Sequence, residues 1–195
     1  MRFDHRRLAI LAVLIALNSV VRLMGAGIAG METAFAILII AGSVFGFGFG
    51  FALGTLSILV SSVISGGIGP WLPFQMLLAA LVGGVSGWLP KPDRLPWRLG
   101  ILSLYGIFAS YLYGLSITAL TLPLFVGLDS PLAFDASRPL TENLARLVIF
   151  DFTTGGFIWN TGRAVTTVSL IWLTGKTLIA ALERTTTRVF VKFET

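Results

Sequence analysis

Long apolar runs separated by short, turn-rich breaks set the pattern of this chain. A bilayer core some 30 Å thick takes about 20 residues of helix, at ~1.5 Å per residue. On that rule the pattern predicts six helical spans, at 8–24, 33–47, 49–65, 71–89, 99–122 and 155–182. The second is short and meets the third at "FGFGFG", where successive glycines allow a tight reversal. "GGIGPWLPFQM", residues 66–76, separates the third from the fourth. Its glycines make the turn, and Pro70 and Pro73 suit the start of a helix, where an amide donor is unneeded. The expectation is an all-α membrane protein, a single domain over 1–195 with six transmembrane helices.

Composition agrees with that pattern. The 195 residues are 55% hydrophobic and 12% charged, too little charge to cover a soluble domain of this length. The positions of the charges then give an orientation. Arg2, Arg6 and Arg7 precede the first span, Lys91, Arg94 and Arg98 follow the fourth, and Arg184, Arg188 and Lys192 follow the sixth. Six spans put all three clusters on one side, which basic residues mark as cytoplasmic, so both termini are expected inside. The basic pI of about 10.2 is thereby read as charge beside anionic headgroups, not as a nucleic-acid surface. A basic tip, an apolar run and "GAG" at 25–27 also fit a signal peptide, but Asn18, Ser19 and Arg22 break the run and favour a retained helix.

Small residues four apart let helices approach closely in lipid. They occur as Ala12/Ala16, Gly50/Gly54 and Gly83/Gly87. Internal packing accounts for any such pair. Ala12 and Ala16 are the best candidates for docking a partner, because their helix ends in the basic cytoplasmic tip.

Polar side chains at membrane depth are expensive and ask for an explanation. Asn18 and Arg22 share a face near the end of the first span, and Glu32, opening the second, is placed to pair with Arg22. Trp71 suits the headgroup belt, whereas Gln75, one turn further in, should face the bundle interior or a cavity. The sixth span opens with Trp159, Asn160 and Arg163, with Asp151 just outside it. Asp151 and Arg163 together also fit a purely structural pair. Gathered at the outer ends, these residues predict a pocket open to the outside.

Catalytic constellations do not emerge. There is no cysteine, His5 is the lone histidine, and no H-E-x-x-H or G-x-S-x-G occurs. "GFGFGFALG", residues 46–54, lacks the Lys-Ser/Thr ending of a phosphate loop. No cofactor or metal is expected.

Three stretches carry a resemblance. They are "ETAFAILIIAGSVFGFGFGFALG" (32–54), "GGIGPWLPFQML" (66–77) and "WNTGRAVTTVSLIWLTGKTLIAALER" (159–184), joined by the small-xxx-small run Ala12-Val-Leu-Ile-Ala16. The chain resembles the substrate-binding S component of an energy-coupling factor (ECF) vitamin transporter of actinobacterial type. That resemblance implies a multi-pass protein of a bacterial plasma membrane that binds a vitamin from outside, a corrinoid first among the candidates, with riboflavin and thiamine open. It implies docking through Ala12 and Ala16 on a transmembrane T component, with two ATPase subunits supplying energy. Asn18, Arg22, Glu32, Trp71, Gln75, Trp159, Asn160 and Arg163 would hold the substrate. The rival expectations are a membrane enzyme acting on lipid, with Glu32 or Asp151 as base, and an assembly subunit.

Overall fold

Seven helices account for nearly all of the described backbone in the computed structural model, which describes residues 5–25, 33–126 and 134–190. They are α1 (His5–Gly25), α2 (Ala34–Phe45), α3 (Phe47–Ser65), α4 (Leu72–Val85), α5 (Leu95–Val126), α6 (Leu140–Thr153) and α7 (Gly156–Phe190). A 3-10 turn, Ser86–Trp88, extends α4. No strand occurs among the described residues. Four helical segments are long and apolar enough to cross a membrane: α1, α3, Leu95–Leu122 of α5 and Gly156–Thr185 of α7. Ala34–Phe45 and Leu72–Trp88 are apolar but shorter. The six apolar runs read from the sequence thus all appear as helices, and α6 is an additional helix in what reads as a polar connection.

The short helix sits in the middle. α2 packs against α1, α3, α4, α5 and α7, and Phe35, Leu38, Ile39 and Ile40 are fully buried within it. Its 12 residues reach only about 18 Å at ~1.5 Å each, so the 19-residue α3, which begins where α2 ends, runs on past its start.

Glycine lets these helices come close. Gly46, at φ +92°, ends α2 and starts α3 with a one-residue reversal that a side chain would strain. A Cβ on either Gly42 or Gly50 would overlap the Gly83 carbonyl oxygen, and one on Gly54 would overlap Ala79. Gly87 lies against the Gly46–Phe47 backbone. The Gly50/Gly54 and Gly83/Gly87 pairs are therefore used inside the bundle, in an antiparallel α3–α4 contact. Ala12 and Ala16 are exposed, because α1 turns Leu11, Leu14, Asn18 and Ser19 inward instead.

At the end where α5 begins, buried Arg98 reaches Glu183 of α7 at 2.5 Å and pins the two helices together. Phe47 stacks on Trp88 at that same end, with ring centroids 4.6 Å apart. Of the pocket expectation, Asn18, Arg22, Trp71, Gln75, Trp159, Asn160 and Arg163 lie at the opposite end.

Candidate functional site

Two polar clusters flank the start of α2. The first joins α1 to α3. Arg22 donates to the Ser61 hydroxyl at 2.8 Å, and the Ser19 hydroxyl donates to the Ser57 carbonyl at 3.2 Å. Those contacts set α1 and α3 parallel, so Asn18 lies one turn down from Arg22, level with Ser57. Asn18 is completely buried, and among the described residues neither its amide nitrogen nor its oxygen has a hydrogen-bond partner; the Ser57 hydroxyl is likewise buried and donates to none of them. An unsatisfied buried polar group costs about 1–3 kcal/mol, which a bound polar group or an ordered water would recover. Thr33, just before α2, donates to the Val21 carbonyl at 2.6 Å and so fixes the start of α2 one turn below the end of α1.

The second cluster joins α5, α6 and α7. Arg163 is buried, donating to the Asn160 side-chain oxygen at 2.8 Å and to the Ser110 carbonyl at 3.2 Å. Asn160 passes the link on, its amide donating to Asp151 Oδ2 at 3.1 Å. Thr118 completes the group with a 3.4 Å bond to Asp151 Oδ1. Asp151 and Arg163 thus communicate through an amide that orients both. Burial pushes the Asp151 carboxyl up from its ordinary value; the Thr118 and Asn160 bonds and the nearby Arg163 charge oppose that shift.

Aromatic rings form the floor under the cation. The Arg163 guanidinium carbon lies 4.9 Å from the Tyr113 ring centroid and 5.6 Å from that of Phe35. The two rings meet edge to face at 5.1 Å. Phe35 belongs to the first turn of α2, so Arg163 stands beside the start of that helix, where backbone amides and the helix dipole favour negative charge. Gly114 makes room for this arrangement, since a Cβ there would collide with the Asn160 amide.

The start of α6 is built separately. The Asn143 amide donates to the Asp135 carbonyl at 2.9 Å, and its oxygen accepts from the Asp135 amide at 3.0 Å. Hydrogen bonds from the Ser137 hydroxyl and from Arg138 hold the Asp135 carboxyl down at about 2, and Arg138 also reaches Glu142. This knot holds the turn that leads into the helix carrying Asp151.

The sequence-predicted residues separate into groups. Asn160 and Arg163 meet in one network, as the spacing suggested, and Asn18 and Arg22 meet serines of α3. Trp71 and Gln75 are half-buried at the start of α4, and Trp159 is half-exposed on the outside of α7. Glu32, and with it the expected Arg22–Glu32 pair, lies outside the described residues. Asp151, expected just outside the sixth span, stands on α6, a helix of its own. Sequence reading missed Phe35, Tyr113, Thr118, Ser57 and Ser61. A signal existed for the serines, which recur four apart in an otherwise apolar run.

One cleft, of about 240 Å³, runs between α4 and α5, lined by Leu78, Val82, Phe108, Leu112 and Tyr113 among others. It is apolar and meets the Arg163 cluster only through the Tyr113 ring. Compared with protein-family models and with curated proteins, the chain matches none.

Proposed function

We propose that this chain is the substrate-binding subunit of an ECF-type importer for a vitamin or related micronutrient, with a transmembrane T component and two ATPase subunits as partners. The observation that carries the reading is the gathering of buried polar groups around the recessed start of α2, at the end of an apolar bundle remote from Arg98 and Glu183. Asn18 and Arg22 stand on one side of that helix start, Asn160 and Arg163 on the other. A ligand with amide or anionic groups would satisfy Asn18 and lie between the two arginines, with Tyr113 and Phe35 beneath it. The exposed Ala12/Ala16 side of α1 supports the docking half of the proposal, since among the described residues no helix packs over it.

Six crossings with both termini in the cytoplasm belong to the same reading. Reporters fused at Thr195 and inserted near Asp93 should both score cytoplasmic, and one near Ser137 external. A different pattern would overturn the six-span topology.

Docking has its own test. Ala12→Trp or Ala16→Trp should abolish uptake in cells while leaving ligand binding by the purified chain within about twofold, because a large side chain prevents close helix approach without touching the site. Normal uptake in both variants would refute the docking face.

One observation favours a rival. The Asp151–Asn160–Arg163 network is well supplied with partners inside the bundle, as a purely structural cluster of an assembly subunit would be. Arg163→Ala, alone and combined with Asp151→Asn, separates the two readings.

A further inference from the structure

We infer that α6 is a membrane-interface helix, its outward apolar side lying in the lipid leaflet at the end of the bundle that carries the Arg163 cluster. The helix has three sides. Asn143 and Asp151 are buried toward the bundle. Leu140, Leu144, Val148 and Phe152, four apart, point outward with 64%, 51%, 51% and 66% of their surface exposed. At ~100° per residue the four cover a sector of about 120°, which Ile149, also exposed, widens; Thr141 of the first turn falls within it, and buried Asp151 falls at its Leu140 edge. Glu142, Arg146 and Thr153 occupy the remaining arc. The 14 residues span only about 21 Å, too short to cross a core of ~30 Å. An amphipathic helix of that length, exposing a contiguous apolar side at the end of membrane-crossing helices, fits the headgroup–acyl boundary.

The occupant is lipid because the surface continues into one that faces lipid. Ile158, Val165 and Trp172, seven apart on α7, form an exposed stripe along a segment long enough to cross the membrane. The Phe152 and Phe157 rings, their centroids 5.3 Å apart, join that stripe to the outward side of α6. The polar arc, with its one acid and one base, is left to face headgroups and water. Asp151 is carried by the same helix, buried beside the edge of this apolar side, so a lipid-held α6 forms the membrane-side wall of the polar cluster.

The chain has no cysteine, so single labels are easily placed. Val148→Cys and Glu142→Cys, each labelled with a nitrobenzoxadiazole dye, would be placed in phosphatidylcholine nanodiscs. A label at position 148 should be quenched several-fold more by doxyl-phosphatidylcholine than by aqueous iodide, and a label at 142 the reverse. Ile149→Cys gives a second report from the outward side. If positions 148 and 149 are quenched by iodide as strongly as 142, α6 stands in water and the inference is wrong. If neither quencher reaches them, a second copy or a partner protein covers the face, and the inference is equally wrong. The outcome is independent of whether the chain binds a vitamin.

Discussion

Gly50→Ala should lower the thermal stability of the purified chain in detergent, whereas Gly100→Ala should leave it unchanged or raise it. The two substitutions add the same methyl group to the interior of a helix. Helix propensity favours alanine over glycine by about 0.5–1 kcal/mol, so on local grounds both should stabilise. What differs is the space the methyl enters. At Gly100 nothing lies within 4 Å of the new carbon. At Gly50 it would overlap the Gly83 carbonyl, a backbone atom that cannot rotate away as a side chain would. Inserting a methyl into such a site typically costs about 1–3 kcal/mol, enough to reverse the propensity gain. Gly50→Leu should prevent α2, α3 and α4 from meeting at all. Equal stability of Gly50→Ala and Gly100→Ala, read as the temperature of half-aggregation, would remove glycine contact as the basis of the bundle.

Arg163→Ala is expected to be the most damaging substitution at the polar end. It removes two buried charge-assisted hydrogen bonds and the cation over Tyr113 and Phe35, and it leaves Asp151 in a buried site without the charge that offsets its burial. Breaking a buried charged network by removing one partner costs about 3–5 kcal/mol, a large part of the whole stability of a domain. Some of that loss would be avoided by protonation of Asp151, so the variant should recover as the pH is lowered. Combining Arg163→Ala with Asp151→Asn removes the stranded carboxylate and retains an acceptor for the Asn160 amide, so folded yield should rise again. Ligand binding then decides the role of the arginine. Folding restored without binding supports a ligand contact. Folding restored with full binding makes Arg163 a structural partner only, and the site must be redrawn around Asn18 and Arg22.

The parts of this molecule legible in its sequence were those fixed by short-range pattern. Apolar run length and the glycine breaks locate six helices, and small residues four apart mark Gly50/Gly54 and Gly83/Gly87 as contact points. Asn160 and Arg163 share a face because they are three apart on one helix. What was illegible depends on which helices become neighbours. Nothing local shows that Phe35 and Tyr113 will lie under Arg163, since they come from different helices joined through long intervening chain. α6 was hidden for another reason. Its polar residues, Glu142, Arg146 and Asp151, are spaced so that no long apolar run forms, and only its period of four, carried by Leu140, Leu144, Val148 and Phe152, betrays the helix. Trp159 illustrates the limit of reading a residue by its neighbours: one position before Asn160, it points roughly 100° away and reaches the outside of the bundle.

Ligand binding by the purified chain alone tests the central claim most directly. Trp71 and Trp159 both lie at the polar end, so a vitamin held there should change tryptophan emission. Titrating the wild-type chain with a panel of water-soluble vitamins, including a corrinoid, riboflavin and thiamine, should give saturable quenching by one of them. Asn18→Ala should weaken that binding by roughly three- to tenfold, the value of a hydrogen bond contributing about 0.5–1.5 kcal/mol. A folded chain whose emission no member of the panel changes, and which retains none of them on equilibrium dialysis, would contradict the assignment as a substrate-binding subunit for a vitamin.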